Sequence, residues 1–206
     1  MRRLVLLRHG RTAWNADLRA QGQTDVPLDE TGREQAARVA PGIAALRPSA
    51  LWSSDLARAA KTADAVAAAC GLDLVLDPRL RELDVGDRSG LTPAEFAERF
   101  PLEHAAWARG EDSPRVPGEE SLEQLVARVS AGLRALLAAL GPDDLGVAVL
   151  HGWCAKAAMV DLLGLPPGSH AVVRGLDNCH AAVLLEHGTG LRLQAYNVDL
   201  GAATPS

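Results

Sequence analysis

Near the amino terminus the chain reads Leu4-Val5-Leu6-Leu7-Arg8-His9-Gly10. Four successive apolar residues are typical of a short strand that is buried on both faces of a sheet. Because ligands bind beyond the carboxyl ends of strands in open α/β sheets, we expect Arg8 and His9 to lie in a crevice. Arg8 offers a permanently charged fork that suits phosphate, and His9 offers a ring nitrogen that can attack phosphorus. A surface pair of residues in an ordinary turn is the alternative at this point.

The same pattern recurs later, where the apolar stretch 146–150 runs into His151-Gly152. If the two strands are parallel neighbours, His9 and His151 face each other across one crevice, because the carboxyl ends of parallel strands meet at one sheet edge. A third predicted strand, 50–53, precedes a helix whose first turn carries Arg58. Unpaired N–H groups and the helix dipole attract anions at that position.

A fourth predicted strand end carries Arg81-Glu82 and adds a carboxyl group. This inventory fits phosphoryl transfer, because arginines can clamp the charge on the equatorial oxygens while one histidine attacks and the other donates a hydrogen bond. A carboxyl group can protonate the leaving oxygen, a task worth roughly 10²–10⁴ in rate. The sequence therefore predicts a phosphate site that needs no metal.

Strands alternate with helices along the chain, which predicts an α/β fold: a three-layer α/β/α sandwich with a mostly parallel, mixed sheet. A hairpin with its turn at residues 187–190 closes the chain and supplies the antiparallel edge. We expect one domain over residues 1–206, in which the segment 83–120 is a small helical insertion that caps the crevice.

Capping motifs mark the predicted helix starts. Capping boxes begin at Thr31, Thr92 and Ser121, and Ser54-Asp55 is a predicted N-cap for the helix that carries Arg58. Pro41 lies inside the first of these helices and is expected to kink or interrupt it.

The composition excludes several classes of protein. The 206 residues carry a net charge of -5, which argues against bulk binding of nucleic acid or of an anionic membrane. The three cysteines show no metal-ligand spacing, so we expect reduced thiols in a cytoplasmic protein. The four apolar residues after Arg3 are too few for a signal peptide, and no stretch approaches the roughly 20 residues of a membrane span.

Taken together, the motifs resemble those of the histidine phosphatase superfamily, also called phosphoglycerate-mutase-like, and of its phosphatase branch in particular. Their order and spacing agree from residue 3 to about residue 165. The matching motifs are residues 7–10, 15, 22–28, 31–36, 53–59 with 62–63, 81–82, 86, 90–92, 117–121 and 151–152.

The resemblance implies a role for each matching residue. His9 is the expected nucleophile, which forms a phosphohistidine, and Glu82 is the expected proton donor to the leaving group. The other expected phosphate or substrate contacts are Arg8, Asn15, Gln21, Gly22, Arg58, Arg81, His151 and Gly152. The resemblance implies no metal and no organic cofactor. The expected partner is a small phosphomonoester substrate. The oligomeric state is left open, with a homodimer as one possibility.

The expected function is hydrolysis of a small phosphomonoester, of the sugar phosphate or phosphoglycerate type. A phosphoglycerate mutase is the first alternative, although the segment between Glu82 and His151 is shorter than in the family's mutases and lacks their substrate-binding stretch. A catalytically silent phosphate-binding protein is the second alternative, because Leu150 and Trp153 flank the second histidine where the family has smaller or polar residues.

Several other side chains have open interpretations. Trp153 either narrows the pocket or packs against the insertion, and Cys154 has no partner in the sequence that would make it a second nucleophile. His104 lies in the insertion, where packing is the alternative to a substrate contact. Arg88 and Arg115 either line the substrate end of the crevice or face solvent.

Overall fold

The computed structural model describes residues 1–166, 168–188 and 190–202. Six strands form one sheet in the order β3-β2-β4-β1-β5-β6. They are β1 (Arg3–Arg8), β2 (Ala50–Ser53), β3 (Leu74–Leu76), β4 (Leu145–Leu150), β5 (Ala181–His187) and β6 (Gly190–Val198). The first four strands pair in parallel, and β5 and β6 are antiparallel additions at one edge. The predicted mixed, mostly parallel sheet is confirmed.

Seven α-helices and three short 3₁₀ turns connect these strands in the described part of the chain. The helices are α1 (Ala13–Ala16), α2 (Glu30–Ala45), α3 (Ala57–Cys70), α4 (Pro93–Arg99), α5 (Pro101–Ala108), α6 (Leu122–Ala139) and α7 (Gly152–Leu162). The 3₁₀ turns are Pro78–Leu80, Gly86–Arg88 and Ser169–Val172. No helix in the described ranges combines the length and the apolar character needed to cross a membrane.

Alternate residues of β1 face two separate hydrophobic cores, because side chains of a strand point to opposite faces of the sheet. Leu4 and Leu6 pack with residues of α6 and α7 on one face. Val5 and Leu7 pack with residues of α2 and α3 on the other. Four consecutive apolar residues are therefore needed because β1 is covered on both sides, and the three-layer α/β/α sandwich is confirmed.

The helix starts agree only in part with the predicted motifs. The capping boxes at Thr92 and Ser121 are present. The prediction for α2 is wrong, because the helix begins earlier and Asp29 caps it, accepting from the N–H of Gly32 at 2.7 Å. Helix α2 also continues through Pro41 without interruption.

Two further corrections concern the edge of the sheet where the site lies. Helix α3 is capped by Asp25, whose Oδ1 accepts from the N–H of Ala57 at 2.7 Å, and not by the predicted Ser54-Asp55. Arg81-Glu82 does not follow a strand end directly, because β3 ends at Leu76 and the 3₁₀ turn Pro78–Leu80 intervenes.

The predicted closing hairpin is formed by β5 and β6, with His187 paired to Gly190. Thr189 in its predicted turn lies outside the described residues. The segment 83–120 contains α4 and α5, and an isolated bridge between Val85 and Glu119 joins its two ends. The two ends of the insertion therefore lie side by side.

Candidate active site

The two histidines meet as their strands predict. Strands β1 and β4 are parallel neighbours with Arg8 paired to Leu150, so that the next residue of each strand is a histidine. The ring centroids of His9 and His151 are 5.1 Å apart, with the ring planes inclined by 60°. Both side chains are buried.

One hydrogen bond determines which nitrogen His9 offers to a ligand. Its Nδ1 lies 2.7 Å from the carbonyl oxygen of Gly10. Because a carbonyl only accepts, Nδ1 carries the hydrogen, and the neutral ring presents the lone pair of Nε2. The Gly10 backbone that makes this bond lies so close to α2 that an added Cβ would be 2.4 Å from the carbonyl oxygen of Gly32.

Arg58 fixes the tautomer of His151. Its Nε donates to Nδ1 of His151 at 3.2 Å, so that Nε2 carries the hydrogen and donates to Oγ of Ser54 at 2.9 Å. The two terminal nitrogens of Arg58 donate to the carbonyl oxygens of Thr24 and Gly22 at 2.8 and 2.7 Å. His151 is fully buried and does not line the cavity, so the predicted contact with a phosphoryl oxygen requires its Nε2 to leave Ser54.

Arg8 lies beside the start of α7. Its Nη1 donates to the carbonyl oxygen of Leu176 at 2.6 Å, while its buried Nε has no acceptor among the described residues. An added Cβ on Gly152 would lie 3.4 Å from that Nε, so the absent side chain lets the guanidinium approach the helix. Arg8 therefore retains a donor for an anion next to a helix N-terminus.

The electrostatics of this cluster favour neutral imidazoles. Burial, reinforced by the charges of Arg58 and Arg8, holds the pKa of His9 well below 6.5. Burial and the charge of Arg58 do the same to the pKa of His151. Burial also lowers the pKa of both arginines. A neutral His9 keeps its lone pair at and below neutral pH, which is the state that attacks phosphorus.

Glu82 is held at the N-terminus of α7. Its Oε1 accepts from the N–H groups of Cys154 at 2.8 Å and Leu83 at 2.9 Å, and its Oε2 accepts from the N–H of Trp153 at 2.9 Å. The apolar pattern after His151 predicts a helix only from Ala155, three residues later than α7 begins, so a contact between Glu82 and the first turn of this helix was not expected. The glycine after His151 was the available signal for the earlier start.

Arg128 of α6 donates hydrogen bonds to the backbone around Glu82, and no motif in the sequence marks it as part of the site. Its Nε and Nη2 donate to Glu120, both at 2.6 Å. Nη1 also donates to the carbonyl oxygens of Arg79 and Arg81, and Nη2 to that of Glu82, at 3.0, 2.7 and 2.7 Å. These five bonds use every N–H that a guanidinium offers.

Of the remaining predicted contacts, four line the cavity and one does not. Asn15, Gln21, Gly22 and Gly152 are at its wall. Buried Oε1 of Gln21 has no donor within the described ranges. Arg81 is not at the wall, because its guanidinium forms a two-pronged ion pair with Asp55 at 2.7 and 2.5 Å. The predicted phosphate contact of Arg81 is therefore not supported by its position.

The cavity has a volume of about 880 Å³ and extends from His9 to the insertion. Arg88, Arg115 and Trp153 line it. Arg88 is largely buried there, at 11% exposure, whereas Arg115 lines the cavity and is also exposed to solvent, at 38%. His104 does not line it and packs instead on Phe96, with ring centroids 5.3 Å apart.

The rings of Trp153 and His170 form a T-shaped pair with centroids 5.3 Å apart. The Lys156 ammonium lies 4.0 Å from the centroid of a Trp153 ring. Cys154 is fully buried, and burial raises the pKa of its thiol well above the usual value, which argues against a nucleophilic role.

Comparison with known proteins shows which family the chain belongs to. A sequence model of the histidine phosphatase superfamily (branch 1) matches residues 4–199. The chain belongs to the histidine phosphatase superfamily. Among its relatives in the superfamily, a probable phosphoglycerate mutase, GpmB, from Cronobacter sakazakii is 38% identical over 183 residues, which cover 87% of this chain and 82% of the relative.

Two solved structures of phosphatases are similar over nearly their whole length. A mycobacterial glucosyl-3-phosphoglycerate phosphatase in complex with VO3 has a TM-score of 0.89 and 36% identity, covering 96% of this chain and 99% of that one. A phosphoserine phosphatase from Entamoeba histolytica, in complex with 3-phosphoglyceric acid, has a TM-score of 0.84 and 27% identity, covering 96% and 98%. Superfamily membership thus covers both phosphatases and a probable mutase.

Proposed function

We propose that this protein is a phosphatase that hydrolyses a small phosphomonoester through a phosphohistidine intermediate on His9. The observation that carries the proposal is the Nδ1 contact with the Gly10 carbonyl, which leaves Nε2 as the free lone pair of a buried, neutral ring. Arg8 and Arg58 supply positive charge beside that ring, where the charge of a transferring phosphoryl group develops.

In the first step, Nε2 of His9 attacks phosphorus and the bond from phosphorus to the leaving oxygen breaks. Glu82 gives its proton to that oxygen, so that a neutral alcohol departs. Its Oε2 accepts one hydrogen bond in the structure, from Trp153, which leaves a lone pair for this proton. In the second step, the Glu82 carboxylate takes a proton from water, the water oxygen bonds to phosphorus, and the bond to His9 breaks.

Phosphate release from p-nitrophenyl phosphate tests the proposal directly. We expect turnover by the natural protein and a loss of at least about 10³-fold in His9→Ala, since this variant lacks the nucleophile. The matched control is His104→Asn. His104 packs on Phe96 but does not itself line the cavity, so this variant should retain turnover. Turnover that survives His9→Ala would contradict the mechanism, and no turnover at all would favour the catalytically silent alternative.

The mutase alternative has one observation in its favour, the name of the similar curated relatives, which are probable phosphoglycerate mutases. The test is incubation with 3-phosphoglycerate and a bisphosphoglycerate primer, following 2-phosphoglycerate against free phosphate. We expect free phosphate to dominate, and dominant isomerisation would replace hydrolysis with the mutase reaction.

The proposed substrate is a sugar phosphate or a phosphoglycerate-type ester, and the proposed location is the cytoplasm. The name of one structurally similar phosphatase, a glucosyl-3-phosphoglycerate phosphatase, and the 3-phosphoglyceric acid in the complex of another support the phosphoglycerate type. All three cysteines carry free thiols, which supports a reducing compartment. A panel of metabolite phosphates, compared by kcat/KM, tests the substrate class.

A further inference from the structure

The wall of the cavity carries five cationic side chains besides Arg8 and Arg58. They are Arg19, Arg88, Arg109, Arg115 and Lys156. Three of them are neutralised by close ion pairs: Arg19 with Glu95 at 2.9 Å, Arg109 with Glu111 at 2.7 Å, and Arg115 with Asp112 at 2.7 Å. Arg88 and Lys156 have no such close pair among the described residues.

Of these two side chains, Arg88 has the geometry that favours binding of an anionic ligand. Its guanidinium carbon lies 5.1 Å from the ring centroid of Phe96 and 5.8 Å from that of Trp107, so aromatic side chains hold it in place. Its nearest carboxylate, Glu119, is 3.8 Å away, which is longer than a hydrogen bond. The side chain is only 11% exposed, and its buried Nε has no acceptor within the described ranges.

A buried donor without an acceptor costs free energy, so a ligand that supplies an acceptor to Arg88 gains affinity there. Arg88 lines the same cavity as His9 and Glu82, which has a volume of about 880 Å³. Burial lowers the pKa of Arg88, while the charges of Glu119 and Glu82 act in the opposite direction. A group bound by Arg88 therefore belongs to the same small molecule whose phosphoryl group lies at His9.

We propose that Arg88 binds a carboxylate on the leaving group, so that the substrate class is a phosphomonoester of a hydroxy acid. The inference rests on the proposed function, since it places the phosphoryl group at His9. A guanidinium can form two parallel hydrogen bonds with a planar carboxylate, in bidentate geometry. A second phosphate in place of the carboxylate would carry roughly two negative charges. These charges would lie near the acidic side chains that also line the cavity, Glu103, Glu111 and Glu119.

Calorimetry on a His9→Ala background tests the inference without turnover. The probes are 3-phosphoglycerate and glycerol 3-phosphate, which differ in having a carboxylate or a hydroxymethyl group at the same carbon. We expect 3-phosphoglycerate to bind about 10- to 100-fold more tightly, as a charge-assisted bond allows. Arg88→Gln should abolish this preference and leave the affinity for glycerol 3-phosphate within about twofold of its parent.

The matched control is Arg109→Gln, because Arg109 lines the same cavity but is neutralised by Glu111. This variant should keep the preference for the carboxylate. Arg88→Lys provides a second test if Arg88→Gln does not fold: it keeps the charge without the planar fork, and should reduce the preference at least threefold.

Equal affinities for the two probes in the His9→Ala protein would overturn the inference. A preference that survives both Arg88 substitutions, or that is lost equally in Arg109→Gln, would do the same. Hydrolysis of p-nitrophenyl phosphate, which has no carboxylate, tests the proposed function separately. Retained probe discrimination without any hydrolysis would leave the Arg88 site standing and remove the phosphatase assignment.

Discussion

Replacing Arg128 with methionine should both destabilise the protein and misplace Glu82. The substitution removes two hydrogen bonds to the Glu120 carboxylate and three to backbone carbonyl oxygens, including that of Glu82. Methionine keeps much of the side chain's volume but none of its donors. Glu120 is then left as a mostly buried carboxylate without its counter-ion.

The magnitude follows from the burial of this pair, in which Arg128 and Glu120 are 21% and 13% exposed. Removing one member of a buried pair costs about 3–5 kcal/mol, and the partial exposure of Arg128 places this case near 3 kcal/mol. For a domain of this size, that loss lowers Tm by roughly 6–12 °C. Thermal unfolding followed by circular dichroism measures it.

The effect on turnover should depend on the leaving group. An alkyl phosphate needs protonation of the departing oxygen, which is the role proposed for Glu82, whereas p-nitrophenolate leaves without that help. We therefore expect Arg128→Met to lower kcat for 3-phosphoglycerate at least tenfold more than kcat for p-nitrophenyl phosphate. The assays belong at a temperature at which circular dichroism shows the variant to be folded.

Arg134→Met is the matched control, because Arg134 lies on the same helix and pairs with Asp161 at the surface, where the two side chains are 57% and 35% exposed. A surface pair of this kind contributes at most about 1 kcal/mol. The reasoning is refuted if Arg128→Met lowers Tm by no more than Arg134→Met does. An equal loss of kcat for both substrates would refute the positioning of Glu82 alone.

Three further predictions concern pH, packing and thiol reactivity. Burial and the nearby arginines hold the pKa of His9 and His151 well below 6.5, so these two side chains take up protons near that pH only in the unfolded chain. The free energy of unfolding should therefore fall by about 2 kcal/mol between pH 6.5 and 5.5, as measured by urea titration. No fall would contradict the lowered pKa of the two histidines. Gly32→Ala should cost about 1–3 kcal/mol by the same titration, because its Cβ would lie 2.0 Å from a carbonyl oxygen of the loop after β1. Gly175→Ala, with no atom within 4 Å of the added Cβ, should change stability by less than about 0.5 kcal/mol. Iodoacetamide should label at most Cys70 in the folded protein and all three cysteines after unfolding, since the other two are buried; a second native thiol that reacts rapidly would count against this.

The sequence by itself determined the two strand-to-histidine units, and it predicted their meeting on the condition that the two strands are parallel neighbours, which the structure shows. An uninterrupted apolar run is typical of a strand that is covered on both faces, and parallel strands bring their carboxyl ends to one edge. This local pattern places Arg58 in the first turn of α3, and the pairing of β1 with β4 then brings His9 next to His151. It also located the capping box at Thr92, because a cap depends on residues only three positions apart.

Only the tertiary structure decided which charged groups meet. Arg81 and Glu82 are neighbours in the sequence, yet Arg81 pairs with Asp55 while Glu82 accepts from the start of α7. Arg128 closes the arrangement from a helix whose pattern indicates only an amphipathic stretch. The physical reason is that a long charged side chain has many acceptors of similar energy along the sequence, and the packing of distant segments selects among them.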